Sequence, residues 1–337
     1  MTDLSITEAD IGKPFPVRGD NVKKQEAIAN HVLSRLTNIK GDKLRGKTAV
    51  VTGGSSGIGL SIVQKLAASG VKVLVGDVQP LREAVEGVLY MQTDTSRWED
   101  LLSLFKRAVK EWSRIDIVIP NAGIGDRGDF FDKVDESGDP VKPKFDCLSV
   151  TLIGQMYTVK LAMHYMRRQV PQGGVIVSTV SRAGYVAESI PVYGAAKHGM
   201  VGLMRALRPL TKTWNIRINS IAPGITDTPA LRTLPDLVPK LWQSGIPMNT
   251  SDDCALAAVF LCANEDYNGN TIFINGGKFR EVESGYERHL KDIMGNDKRL
   301  SLSREEKKML GEWIRSMFKM RAETSSKEDI FTPSSKY

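Results

Sequence analysis

The sequence predicts an α/β protein, a doubly wound parallel sheet of about seven strands with helices on both faces. Three observations predict it. Short apolar runs recur along residues 44–280, and most are continuous rather than alternating, as in strands buried on both faces. Longer segments of helical periodicity separate them. A glycine-rich turn stands directly between the first apolar run and the first helical segment.

The elements follow in order. "KTAVVTG" is the first strand, and "LSIVQKLAASG" is a helix that returns the chain to a second strand, "VKVLVGD". "VLYMQTD" is the third strand. The helix "WEDLLSLFKRAVKEW" leads to the fourth, "IDIVIPNAG". "GGVIVSTV", "IRINSIAPG" and "TIFING" complete the set. No linker interrupts 44–280, so this stretch reads as one domain.

Two appendages flank it. Residues 1–43 form an arm in which Ile28, Val32 and Leu36 recur at helical spacing behind Asn21, a possible cap. Residues 281–337 form a helical tail. It opens its main helix with a capping-box pattern, Ser303 and Glu306, and carries the stripe Met309, Leu310, Trp313, Ile314, Met317 and Phe318. The stripe reads as a helix folded onto its own domain or onto a sister subunit. "SSKEDIFTPSSKY" reads as a disordered end.

Composition limits the function classes. The net charge is +7 on 337 residues, with both signs interspersed, which argues against nucleic acid and membrane partners. No apolar run approaches the ~20 residues of a membrane span. The acidic, polar start "MTDLSITEADIG" resembles no targeting signal, so a cytoplasmic location is expected. Cys147, Cys254 and Cys262 have neither paired nor metal-like spacing, and the four histidines are scattered. Reduced thiols and no catalytic metal are expected.

Three phosphate- or nucleophile-type motifs compete near the first strand. "GDKLRGKT", 41–48, spells a P-loop, but its lysine and threonine begin a strand instead of opening a helix. "GGSSG", 53–57, fits the nucleophile elbow of hydrolases, yet neither His198 nor His289 stands in a setting that suggests its base. "TGGSSGIG", 52–59, has both a strand before it and a helix after it. Gly53 permits the tight turn, Gly57 a close approach to pyrophosphate, and Gly59 tight helix packing. Thr52, Ser55, Ser56 and Ile58 complete this candidate cofactor turn.

Asp77 ends the second strand, 18 positions after Gly59. A carboxylate there can bind the adenosine ribose hydroxyls of NAD and repel the 2′-phosphate of NADP. No basic residue directly follows it. Tyr193 and Lys197, four apart in "PVYGAAKHG", share one helix face. A free phenol, with a pKa of about 10, is a poor base at neutral pH. A neighbouring ammonium would lower that value and favour proton transfer. Ser181, at the end of the fifth strand, can hold a substrate oxygen.

The ordered set "TGGSSGIG", "TDT", "PNAG", "VSTVSRAG", "PVYGAAKHG" and "APGITDT" resembles the short-chain dehydrogenase/reductase family over about 45–280. The wording of "PVYGAAKHGMVGLMRALRP" is most similar to the branch of 15-hydroxyprostaglandin dehydrogenase and its fungal relatives. The resemblance implies a Rossmann-type fold, a nicotinamide cofactor and a homo-oligomer, dimer or tetramer. It implies that Asp94 accepts from the adenine amino group, with Thr95 beside it. Asn121, Ala122 and Gly123 would pass under the adenosine half and brace the central strands. Pro223, Gly224 and Ile225 would line the nicotinamide, and Thr228 would hold its carboxamide. Lys197 would also bind the nicotinamide ribose. Thr151 stands where the family carries an asparagine that mounts a water in the proton relay. It would either hold that water through its hydroxyl or leave the relay weakened.

The expected activity is NAD-dependent interconversion of a secondary alcohol and a ketone on a small-molecule substrate. An NADPH-dependent biosynthetic ketoreductase and a nucleotide-binding scaffold are the alternatives. Leu231, Leu234, Leu237, Leu241 and Trp242 suggest a greasy or ring-bearing substrate. Arg182 and Tyr185 follow Ser181 and are expected to border it. His198 points off the shared face and is expected to be structural.

Overall fold

A computed structural model of the chain describes residues 43–126, 130, 134–186, 188–233 and 236–294, with residues 305, 309, 312, 313 and 316. The expected helix of the N-terminal arm, the tail's capping box and Leu234 lie outside the described residues. The chain divides into two compact units, Met1–Glu283 and Ser284–Tyr337. In the second, Met309 and Trp313 are helical and exposed.

The first unit is built on an eight-stranded sheet. The strands are β1 (Thr48–Thr52), β2 (Lys72–Asp77), β3 (Val88–Gln92), β4 (Ile117–Ile119), β5 (Gly174–Thr179), β6 (Ile216–Pro223), β7 (Thr271–Asn275) and β8 (Lys278–Glu281). They lie in the order β3-β2-β1-β4-β5-β6-β7-β8. The first seven are parallel, and β8 is antiparallel to β7.

The eighth strand adds to the seven expected. β7 and β8 form a hairpin with Asn275 opposite Lys278, so the loop is only Gly276-Gly277. Both glycines have positive φ, 59° and 69°. A two-residue turn of this kind matches the twist of paired strands and is open to glycine without strain. The pair was legible in "TIFINGGKFRE".

Successive strand residues point to opposite faces, and the core divides accordingly. Ala49, Val51, Val73 and Val75 pack with helices α1 (Gly57–Ala68) and α5 (Ser251–Ala263). Val50, Leu74, Val118 and Ile176 pack with α2 (Trp98–Trp112), α3 (Gln155–Arg168) and α4 (Pro191–Thr211). On the first face α5 turns several small residues inward. Ala255, Ala257 and Ala258 of α5 are fully buried, and α5 rests closely on α1. There the Ser61 hydroxyl bonds the Asp252 carboxylate, and Lys65 pairs with the same carboxylate at 3.0 Å. The second face carries an aromatic stack. Phe105 is fully buried and stacks on Tyr165, with ring centroids 5.8 Å apart.

Strand order reverses between β1 and β4. Open parallel sheets bind their ligands in the crevice at such a point, beyond the carboxyl ends of the strands. A π-helical turn, Ser149–Gly154, runs into α3 on this side.

Candidate active site

The turn after β1 is made of positions where a side chain does not fit. Gly53 has φ +66°, and a Cβ on it would lie 2.7 Å from the Ala122 Cα. A Cβ on Gly59 would lie 2.0 Å from the Gly53 carbonyl oxygen. Gly54, which the sequence reading passed over, is as tightly held, 2.9 Å from a Val75 methyl. Gly57 has φ +52° and faces Thr228, whose methyl would be 3.4 Å from a Cβ there. The turn and the "APGITDT" segment therefore meet over the crevice.

Helix α1 begins after Ser56, whose side chain makes no capping bond, and its first turn carries no acidic residue. Its amides and the positive end of its dipole are left for an anion. The Ser55 hydroxyl is buried in this turn without a partner, and a buried polar atom of that kind needs one. Ile58 packs against the core. The Thr52 hydroxyl is fully buried. It accepts from the Asn121 and Ala122 amides at 3.1 and 3.3 Å, so it joins β1 to the loop after β4.

Asp77 reaches back to this turn. One carboxylate oxygen accepts from the Ser55 amide at 2.9 Å, and the other accepts from the Gln79 amide at 3.0 Å. It therefore caps its own turn and fixes the glycine turn. Each oxygen still has a lone pair for a hydroxyl donor. Asp94 accepts from the Ser96 amide and hydroxyl at 2.9 and 2.7 Å, and Thr95 is buried beside it. Asn121 ties three strands together. Its amide nitrogen donates to the Thr52 and Gly53 carbonyls at 3.2 and 2.9 Å, and its oxygen accepts from the Thr179 hydroxyl at 3.0 Å. Asp126, in the same loop, accepts from the Val192 amide at 2.9 Å and so caps α4 from outside it.

Ser181, Tyr193 and Lys197 come together as expected from their positions. Ser181 caps the short turn Arg182–Gly184, accepting from the Ala183 amide at 3.1 Å, and hydrogen-bonds the Tyr193 phenol. Lys197 is buried, donates to the Thr179 carbonyl at 2.8 Å, and stands 5.4 Å from the Tyr193 ring centroid.

The electrostatics differ from expectation. Burial pushes the Tyr193 phenol up to about 12. The Ser181 bond opposes this, while Cys147 and Glu188 add to it. Burial also pulls Lys197 down to about 8, with Cys147 opposing. Burial therefore governs the phenol, while the Lys197 ammonium is turned toward the Thr179 carbonyl. The expectation that Lys197 brings Tyr193 below its ordinary value is corrected for this state of the protein.

Thr151 is fully buried in the π-helical turn. Its hydroxyl donates to the Ile124 carbonyl and accepts from the Ile124 amide, both at 2.9 Å. The single hydroxyl proton is spent there, so Thr151 fastens the loop after β4 and has no proton left for a relay water. Gly123 lies against the same spot: a Cβ on it would be 3.3 Å from the Thr151 hydroxyl and 3.7 Å from the Lys197 nitrogen.

Two residues expected to border the substrate have other partners. The Tyr185 hydroxyl donates to Glu283 at 2.6 Å, and Arg205 pairs with the same buried carboxylate at 2.8 Å. Arg182 pairs with Glu188 at 2.6 Å. His198 is exposed, with its ring nitrogen 2.9 Å from the Gly194 carbonyl.

Pro223 ends β6. The Gly224 amide donates to the Ile274 carbonyl at 2.8 Å, and the Ile225 carbonyl accepts from the Asn249 amide at 2.8 Å. The Thr228 hydroxyl accepts from the Leu231 amide at 3.4 Å and caps the short helix Pro229–Arg232. Beyond it, Leu231, Leu237 and Leu241 are half-buried and Trp242 is exposed.

The rival motifs lack their machinery. Lys47 and Thr48 lead into β1, and the Thr48 hydroxyl donates to the Arg114 carbonyl at 2.9 Å. No described histidine bonds Ser55. Among the described residues no helix is long and apolar enough to cross a membrane. Sequence reading missed Cys147, buried beside Thr151, and Gln155, one helical turn after it.

Comparison with known proteins agrees with this geometry. The family model for short chain dehydrogenase matches residues 47–237. The short-chain dehydrogenase/reductase ascJ of Acremonium egyptiacum is 38% identical over 249 residues, covering 71% of this chain and 82% of that one. The 3beta-hydroxysteroid dehydrogenase 2 of Eggerthella lenta is 31% identical over 254 residues, 69% of this chain and 95% of its own. The structure of a 3-ketoacyl-(acyl-carrier-protein) reductase from Brucella melitensis complexed with NADH superposes with a TM-score of 0.60. It is 26% identical and covers 69% of this chain and 98% of that one. With the glycine turn at the switch point and a Ser–Tyr–Lys group beside it, the chain belongs to the short-chain dehydrogenase/reductase family and is an oxidoreductase acting on an alcohol or ketone with a nicotinamide cofactor.

Proposed function

We propose that the protein is an NAD-dependent dehydrogenase of a secondary alcohol on an apolar, ring-bearing metabolite. The observation that carries this reading is the convergence of Ser181, Tyr193 and Lys197 next to a side-chain-free turn. A nicotinamide held there would supply the hydride chemistry at the carbinol carbon. The other roles fall to this chain. Ser181 holds the substrate oxygen, and Tyr193 takes its proton. Lys197 holds the nicotinamide ribose and supplies positive charge to the phenolate that forms.

The residues fit a dinucleotide. The orphaned Ser55 hydroxyl, the α1 amides, and Gly53, Gly57 and Gly59 form a cradle for pyrophosphate. Asp77 takes the adenosine ribose, Asp94 and Thr95 the adenine edge, and Thr228 the carboxamide. NAD is preferred over NADP because the Asp77 carboxylate, already fixed to Ser55, repels a 2′-phosphate. The hydroxysteroid relative supports a ring-bearing alcohol, as do the half-buried leucines and Trp242 of the 231–242 segment.

The protein works as a homo-oligomer in the cytoplasm, with residues 1–43 and 281–337 as appendages of a catalytic domain at 44–280. A second reading runs the same site in reverse, as a ketone reductase. The ketoacyl reductase relative favours it. Turnover of a panel of apolar cyclic alcohols with NAD, and of their ketones with NADH, tests both. Activity in neither direction, with cofactor bound, would remove the dehydrogenase reading.

A further inference from the structure

We propose that Gln155 is a positioning residue for Lys197: its side-chain oxygen accepts a proton of the lysine ammonium, directly or through one buried water, in place of the Thr151 side chain. The inference rests on the dehydrogenase reading above. Its grounds are geometric. Gln155 is 1% exposed. Its amide nitrogen donates to the Ala122 carbonyl at 3.0 Å and reaches the Thr179 carbonyl at 3.4 Å. Lys197 donates to the same Thr179 carbonyl at 2.8 Å. The two side chains therefore share one acceptor.

The amide orientation is fixed by chemistry. Turned over, its oxygen would face two carbonyl oxygens. Held as it is, that oxygen is buried without a partner. A buried acceptor left so destabilises the fold. Lys197 has three protons, and one goes to Thr179. A buried water joining the two groups would accept from the Lys197 ammonium and donate to the unpartnered Gln155 oxygen.

Position explains why Gln155 can do this and Thr151 cannot. The two residues are four apart, on one face of the helix that begins in the π-helical turn. Helical side chains lean toward the N-terminus, so a long side chain at 155 delivers its amide over residue 151. The Thr151 hydroxyl is held by Ile124. Gly123 lies beside both: a Cβ there would be 3.3 Å from the Thr151 hydroxyl and 3.7 Å from the Lys197 nitrogen.

An acceptor at the ammonium favours the charged form of Lys197 and opposes the burial that pulls it down. Removing it lowers the pH at which Lys197 loses its proton. Two readouts on the wild type, Gln155→Leu and Gln155→Glu test this: NADH binding followed by nicotinamide fluorescence, and the pH profile of kcat/KM. In Gln155→Leu the alkaline limb should move down by about one pH unit, with kcat down about tenfold. In Gln155→Glu, which puts a carboxylate near the ammonium, the limb should move up. A folded Gln155→Leu with an unmoved limb would overturn the proposal, and so would an unmoved limb in Gln155→Glu if the leucine variant does not fold. Wild type that neither binds NADH nor turns over would sink the dehydrogenase reading instead.

Discussion

The glycine turn and the helix of Tyr193 and Lys197 face the same crevice but are built on opposite principles. The turn works by what is missing. Gly53 and Gly59 sit where a Cβ would meet backbone at 2.7 and 2.0 Å, so only backbone fits there. The helix works by what is buried. Lys197 is almost wholly enclosed and Tyr193 largely so, and enclosure moves them in opposite directions, to about 8 and about 12. A cradle made of backbone is set once the chain folds. A buried ammonium is held at a cost in stability.

That contrast can be broken at its strongest point first. Tyr193→Phe removes only the proton-carrying oxygen. Turnover should fall about 10²–10⁴-fold while NADH affinity by fluorescence titration stays within about twofold. Loss of affinity equal to the loss of turnover would place Tyr193 in the cradle rather than in the chemistry.

Gly59→Ala should act the other way. Its methyl cannot avoid the Gly53 carbonyl, and overpacking of this sort costs about 1–3 kcal/mol. Thermal unfolding should show the loss, and NADH binding should weaken with it. An alanine variant as stable as wild type would mean that the turn is looser than its geometry.

Lys197→Met sharpens the cost argument. A lysine whose folded value is below its unfolded 10.5 binds fewer protons folded than unfolded between about 8 and 10.5. Stability therefore rises with pH across that window, and at pH 7 the burial cost is felt in full. Removing the charge should stabilise the cofactor-free protein by about 2 kcal/mol at pH 7, less at pH 10, while turnover falls. Destabilisation at both pH values would contradict the sign.

Thr151→Val is the smallest change. It deletes the bonds to Ile124 and should cost about 1 kcal/mol of stability. Because the hydroxyl has no proton left for a relay water, turnover should move less than in Gln155→Leu. A larger kinetic than structural effect would return Thr151 to the relay.

The difference between the two regions also decides how much could be read in the sequence. The tight turn at Gly53, Gly57 and Gly59, with Asp77 at the end of β2, was legible because it depends on local spacing between a strand and a helix. The Tyr193–Lys197 pair was legible for the same reason, as neighbours one turn apart. The parallel sheet and its two covered faces followed from alternating apolar runs and helices. What failed to show depends on contacts distant in sequence. Thr151 is tied to Ile124, Tyr185 to Glu283, and Gln155 to Ala122 and Thr179. None of those partners is marked by spacing. The direction of the Tyr193 shift was missed because a motif gives the presence of a neighbouring ammonium but not the burial of the phenol itself. β8 was missed although the Gly276-Gly277 pair signalled its turn.

The central claim is that the turn and Asp77 bind NAD for the chemistry of Tyr193. Separate titration of the purified protein with NADH and NADPH, followed by nicotinamide fluorescence, tests it without any substrate. The account predicts NADH binding at least about tenfold tighter, the scale of one charged contact worth about 1.4 kcal/mol, with the preference reduced in Asp77→Ala. Equal or tighter NADPH binding would contradict the role of Asp77, and binding of neither would contradict the dehydrogenase itself.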